Sequence, residues 1–196
     1  MSDLPAILLA AGGSTRMRGA DKLLEEVNGV PLLRRQAARL CAATRGTVIV
    51  TLPPAPHPRD AALDGLDVKI VRVADPSLGM NASLSAGVVA LPDARAALVA
   101  LADMPDLEMA DFARVLAAVD DSATRIWRAC TENGAPGHPI AFHRDLWPAL
   151  RALTGDTGGR AVVQAHAHVT RMIPLPGTRA RTDLDTPEAW AAWRAT

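Results

Sequence analysis

Apolar positions in this chain follow two patterns that alternate. Short unbroken runs at 5–11 ("PAILLAA"), 46–52 ("GTVIVTL"), 68–73 ("VKIVRV") and 96–105 ("AALVALADMP") are bounded by glycine, proline or acid and predict buried strands. Between them the spacing changes to 3.6. Residues 31–44 open at Pro31 and place Leu32, Leu33, Ala37, Leu40 and Cys41 on one stripe. Residues 81–91 also predict a helix, and 108–120 predict one with Met109, Phe112, Val115, Leu116 and Val119 on one side. The stretch "PPAPHPRD" suits neither element and predicts an exposed loop. Further on, "TRIWRAC" and "PIAFH" predict a pair of strands around "TENGAPGH". Helices at "RDLWPALRAL" and "GGRAVVQAH", a strand at "VTRMIPL" and a helix at "PEAWAAWRA" follow.

Strands alternating with helices predict an α/β class fold: a three-layer α/β/α sandwich with a mostly parallel sheet. No repeat or linker splits the chain, so 1–196 is expected to be a single domain. Ligands in such folds sit beyond the carboxyl ends of the strands, which selects 10–22, 75–85 and 102–106.

Composition narrows the functions. With 21 basic and 21 acidic residues and a formal net charge of zero, the chain lacks the overall positive field of a nucleic-acid binder, so any anion site is local. No run is long enough to cross a bilayer and the first residues carry no secretory pattern, so no membrane partner and a cytoplasmic location are expected. Cys41 and Cys130 are expected to be free buried thiols. His57, His143, His166 and His168 have no metal-ligand spacing, and Trp127, Trp147, Trp190 and Trp193 are expected to pack, the last two on one helix face.

The chemistry concentrates where the first strand ends. In "AAGGSTRMRGADK" small residues leave main-chain N–H groups unobstructed, as in an anion nest. Arg16 offers a planar fork for phosphate oxygens and Lys22 a point charge. These ingredients suit a triphosphate. The loop has neither G-x-x-x-x-G-K-[ST] nor G-x-G-x-x-G, which disfavours a P-loop ATPase or a nicotinamide-dependent oxidoreductase. At the end of the fourth strand Asp103 is suited to Mg²⁺, which takes one or two carboxylates with phosphate oxygens and water. In "DLDTPEAW" either Asp185 or Thr186 caps the last helix, a role that leaves Asp183 unexplained. In "GMNASLSAG" either Asn81 or Ser83 caps a helix, or that helix start and Ser83 face a nucleotide.

"LAAGGSTRM" at 9–17, followed by Lys22, resembles the signature of the GT-A-like nucleotidyltransferases, and within the MobA-like NTP transferases it is most similar to the molybdenum cofactor cytidylyltransferase group. The family's glycine after R-M is replaced by Arg18, with Gly19 next. Five further segments match in order: 79–84, 101–105, 134–139, 155–160 and 183–188.

The resemblance implies transfer of CMP from CTP to the terminal phosphate of a molybdopterin-type cofactor, with Mg²⁺ and release of pyrophosphate. Arg16, Lys22 and Asp103 would be catalytic. Leu9, Ala10, Ala11, Gly12, Gly13, Ser14, Arg16, Lys22, Gly79 and Ser83 would bind the nucleotide, and His138, Asp156, Gly158 and Arg160 the acceptor. Asp103, Asp183 and Asp185 would hold the metal, with Asp183 favoured over Asp185 because Asp185 already has a capping role. A transient contact with a molybdoenzyme or its chaperone would follow. Three alternatives stay open: guanylyl transfer from GTP to the same cofactor, cytidylyl transfer to a sugar or polyol phosphate, and a non-catalytic cofactor-binding insertion partner.

Overall fold

The computed structural model describes residues 1–155 and 158–195. Fifteen β-strands and α-helices order the described residues. In the first half they are β1 (Ala6–Leu9), β2 (Glu26–Val27), β3 (Val30–Pro31), α1 (Leu32–Ala43), β4 (Val48–Leu52), β5 (Lys69–Arg72), α2 (Met80–Val89), β6 (Ala96–Leu101) and α3 (Met109–Ala117). The second half holds β7 (Ile126–Cys130), β8 (Pro136–His143), α4 (Trp147–Arg151), α5 (Arg160–Ala165), β9 (Thr170–Pro174) and α6 (Pro187–Arg194).

Seven strands form one sheet in the order β5-β4-β1-β6-β8-β7-β9. Every pairing is parallel except those of β8, which runs against both β6 and β7. The sheet is mostly parallel, as the alternation predicts. The reversed strand has a consequence for the site. It brings its amino end, Pro136 to His138, to the edge where β6 and β7 finish.

The strand pleat sorts side chains into two cores. Ala6 and Leu8 of β1 join Val50, Leu98 and Ala100 under α1 and α3, with Phe112 fully buried there. Ile7 and Leu9 face the other way, with Ile49, Val99 and Phe142, under α2, α4 and α5. Truncating a fully buried residue such as Phe112 to Ala costs about 3–5 kcal/mol. A third, smaller cluster joins Met17, Val27, Leu32, Leu184 and Trp190. It ties the loop after β1 to the segment before α6.

Four expectations need correction. "PPAPHPRD" is not a simple exposed loop. Pro58–Leu63 form a 3₁₀ helix, capped reciprocally by His57 and Asp60, and Arg59 is 1% exposed. The β2–β3 hairpin was not predicted. Its turn is Asn28-Gly29, both with positive φ, a pair suited to a tight hairpin turn. His138 lies within a strand rather than in the segment between strands, because β8 starts at Pro136. Cys130 is buried but Cys41 is only partly so; both are free. The four tryptophans pack as expected. Trp190 and Trp193 meet edge to face, ring centroids 5.9 Å apart. Among the described residues no helix is long and apolar enough to cross a membrane.

Candidate active site

β1 is buried along its whole length, and burial continues through Ala10 and Ala11 before Gly12 and Gly13 reach the surface. The chain then turns back sharply. Ser14 (φ 50°) and Arg18 (φ 53°) both adopt left-handed conformations on either side of a 3₁₀ turn, Thr15–Met17. A non-glycine residue there costs about 1–2 kcal/mol. This is the physical reason why glycine suits the position that Arg18 holds. Met17 is buried in the small third cluster and anchors the far limb of the loop.

Behind the loop lies a brace that sequence reasoning missed. Arg59 donates from Nε and Nη2 to the two carboxylate oxygens of Asp21, both at 2.7 Å. Its Nη1 donates to the Ala10 carbonyl at 2.6 Å, and Nη2 also reaches Ser14 Oγ at 3.2 Å. Ser14 Oγ in turn accepts from the Lys22 main-chain N–H at 3.3 Å. Burial alone would raise the Asp21 carboxyl; the Arg59 guanidinium outweighs it and holds Asp21 below the ordinary carboxylate range. One buried arginine therefore fixes both ends of the loop, at Ala10 and at Asp21. No local signal marks Arg59, since it stands among prolines.

Four charged side chains from three distant stretches of the sequence meet at the loop's mouth. Lys22 Nζ donates to Asp103 Oδ2 at 2.5 Å and to Asp185 Oδ1 at 2.6 Å. Arg16 Nη2 pairs with Asp185 Oδ2 at 2.7 Å. Burial works to lower the Lys22 ammonium, but the charges and hydrogen bonds of the two aspartates outweigh it and raise its pKa. Asp185 is held down by Lys22 and Arg16 against the opposing effect of burial.

The 183–185 segment reaches this edge through its backbone. The Leu184 N–H donates to the Asp103 carbonyl at 3.1 Å, and the Leu184 side chain is buried in the third cluster. Thr186 is the cap of α6, accepting from the Ala189 N–H at 3.1 Å. Asp185 is thus free of the capping role that favoured Asp183 over it.

Asp183 is the residue with a raised carboxyl. Burial contributes most, then the charges of Asp103 and Asp185.

Among the described residues no three or more His, Cys, Asp or Glu side chains are arranged to hold an ion. The three aspartates are therefore not a ready three-ligand cage, since Lys22 lies between two of them. They still fit a divalent cation that takes its remaining ligands from phosphate and water. All donors are hard carboxylate oxygens, and Asp103 Oδ1 is buried without a hydrogen-bond partner.

Two adjoining cavities open at this edge. The first, about 640 Å³, is lined by Leu9 to Ser14, Arg16, Lys22, Gly79, Ser83, Asp103 and Asp185. It gathers every residue assigned to the nucleotide. Neither Ser83 nor Asn81 caps α2: Gly79 (φ 87°) holds that position, and Asn81 donates to the Thr154 carbonyl at 2.6 Å. The second cavity, about 540 Å³, shares Leu9 and Met80 with the first and contains His138, Gly158 and Arg160. Asp156 lies outside the described residues. Arg128 and Arg181 also line this cavity and were not singled out in the sequence.

His138 is positioned by a close backbone approach. Its N–H donates to the Ala180 carbonyl at 2.8 Å, and a Cβ on the preceding Gly137 would fall 1.9 Å from that same oxygen. Only glycine allows the contact. Burial, then the charge of Arg128, pushes the His138 imidazole down to about 4. It is neutral at neutral pH. A larger cavity of about 770 Å³, between the β2–β3 hairpin and α6, contains none of the expected site residues.

Comparison with known proteins agrees with this fold. Residues 6–169 match the MobA-like NTP transferase domain. A "Probable molybdenum cofactor guanylyltransferase" of Natronomonas pharaonis is 36% identical over 108 residues, covering 55% of this chain and 53% of the relative. The chain thus spans about half the length of that curated relative. The crystal structure of Rv0371c from Mycobacterium tuberculosis H37Rv superposes with a TM-score of 0.87 at 26% identity, covering 100% of this chain and 98% of that one. The same protein's complex with manganese gives 0.82 at 23% identity, with 100% and 99% coverage. A carboxyl-edge cleft with a bare loop and a lysine between two aspartates is thus carried by a chain that belongs to the MobA-like NTP transferase family, a family of transferase enzymes.

Proposed function

We propose that residues 1–196 form one nucleotidyltransferase domain that moves a nucleoside monophosphate from an NTP to the terminal phosphate of a molybdopterin-type cofactor and releases pyrophosphate. The carrying observation is Lys22 held between Asp103 and Asp185 at the mouth of the glycine loop. Gly12 and Gly13 leave main-chain amides open to the triphosphate, and Arg16 and Lys22 supply charge for its β- and γ-phosphates. When the nucleotide enters, Lys22 exchanges carboxylate partners for phosphate oxygens and stabilises the departing pyrophosphate.

A divalent cation, Mg²⁺ in this reading, would be held by Asp103 with Asp185 and Asp183, and would offset charge on the triphosphate. The manganese complex of a structural neighbour supports a divalent ion. The acceptor would lie in the second cavity against His138, Gly158 and Arg160, with Asp156 nearby in sequence. A phosphate nucleophile is already anionic at neutral pH, so positioning and charge neutralisation suffice. The product would pass to a molybdoenzyme or its chaperone in a transient contact.

For the nucleotide, the resemblance of the "LAAG" loop to that of cytidine users in the family favours CTP. The Natronomonas pharaonis relative named as a guanylyltransferase favours GTP as a second reading. Pyrophosphate release across the four NTPs, with and without molybdopterin cofactor, decides both points. Cofactor-dependent release with CTP alone supports the first reading and with GTP alone the second. No release with any NTP sinks the proposal.

A further inference from the structure

We propose that the second cavity is an oxyanion receptor, in which Arg128, Arg160 and Arg181 hold an anionic group of the acceptor other than the phosphate that reacts beside Lys22. This rests on the acceptor reading above.

The three arginines come from separate elements: mid β7, the start of α5 and the segment after β9. They line the second cavity and not the first, whereas Lys22, Asp103 and Asp185 line the first and not the second. Among the described lining residues of the second cavity there is no Asp or Glu. None of the three arginines is ion-paired among the described residues. Arg179, two positions before Arg181, does pair, with Asp111 at 3.3 Å. Among the described residues, then, this neighbouring arginine has a carboxylate partner and the three that face the cavity have none.

Arg128 is oriented by its Nε, which donates to the Gly137 carbonyl at 3.1 Å. Burial first, then the charges of Arg181 and Arg160, lower its pKa from the ordinary guanidinium value. Like charges facing one cavity repel until an anion enters between them. Beside them, His138 Nδ1 is buried without a hydrogen-bond partner. The remaining wall is largely apolar, from Leu84, Val99, Ile140, Phe142 and Val163, with Gln164 a further polar side chain. The complementary ligand has an apolar or flat body, with one anionic group for the arginines and another reaching over Leu9 and Met80 towards Lys22.

The test titrates inorganic phosphate and sulfate into the full chain by calorimetry, using wild type, Arg160→Gln, Arg181→Gln and the double variant. Both substituted side chains are exposed, and equal thermal melts confirm folding. With saturating nucleotide filling the first cavity, wild type should bind one oxyanion saturably. Each substitution should weaken binding by about tenfold, the size of one charge-assisted contact. The double variant should show no saturation, and nucleotide affinity should be unchanged throughout. In pyrophosphate release with molybdopterin cofactor, the variants should raise the KM for the cofactor and leave that for the nucleotide. Unchanged phosphate affinity in both single variants overturns the proposal, as does loss of saturable phosphate binding once nucleotide fills the first cavity. Failure of the parent reading looks different: phosphate still binds through the arginines, yet no NTP yields pyrophosphate.

Discussion

Lys22 Nζ lies 2.5 Å from Asp103 Oδ2, although 81 residues separate them in the chain. β1 and β6 are adjacent parallel strands, so a loop leaving one and an acid leaving the other emerge at the same edge. Asp103→Ala should leave the fold intact and lower turnover by about 100-fold or more, the scale of losing one preorganised electrostatic contact. Pyrophosphate release with a matched thermal melt checks this. Near-normal turnover at saturating Mg²⁺ would remove Asp103 from the mechanism.

Lys22 also stands in for a cation. Lys22→Met leaves the Asp103 and Asp185 carboxylates facing one another without their shared ammonium. Binding of Mn²⁺ to the nucleotide-free protein should therefore tighten while turnover falls. Titration calorimetry with Mn²⁺ reads the first effect. Weaker Mn²⁺ binding in the variant would contradict the shared-site geometry.

Asp183 carries a raised carboxyl, owing to burial and then the charges of Asp103 and Asp185. A raised folded pKa gives stability that is full below the ordinary carboxylate range and is lost as pH rises through the raised value. At neutral pH Asp183→Asn should then raise the melting temperature of the metal-free protein. It should also diminish the stabilisation that Mn²⁺ adds. Melts with and without Mn²⁺ at pH 5 and pH 7 test both signs; a lower metal-free melt at pH 7 would refute the first.

Arg59→Met should be the most destabilising of these changes, by about 3–5 kcal/mol, because it leaves Asp21 charged and without its buried partner. The pH dependence has the opposite sign to that of Asp183. Asp21 is held low in the folded protein, so its contribution is present above the ordinary carboxylate range and lost as pH falls through the lowered value. Urea unfolding from pH 7 to pH 3 should show that acid limb flattened in the variant. The KM for nucleotide should rise as well, since the brace sets the loop at Ala10 and Asp21.

What the sequence disclosed follows from how local each feature is. The strand-to-glycine loop, Lys22 and Asp103 were legible because short apolar runs ending in small or acidic residues carry their own signature. The direction of β8 was not, since periodicity is the same for a strand read either way. Arg59 was hidden by prolines that suggest exposure, yet its burial depends on Asp21, 38 residues away. The choice between Asp185 and Thr186 as cap was open locally. Lys22 and Arg16 hold Asp185 at the cleft, and Thr186 caps. Arg128 and Arg181 look like solvated arginines until the sheet brings them beside Arg160.

The reversed strand β8 also divides the molecule's labour. The wall of the first cavity is drawn almost entirely from positions before 104, with Asp185 the exception, whereas the charged wall of the second comes from 128 onward. The two specificities can therefore drift separately in evolution. A chimaera of two relatives joined between α3 and β7 would inherit its loop cavity from one parent and its arginine cavity from the other.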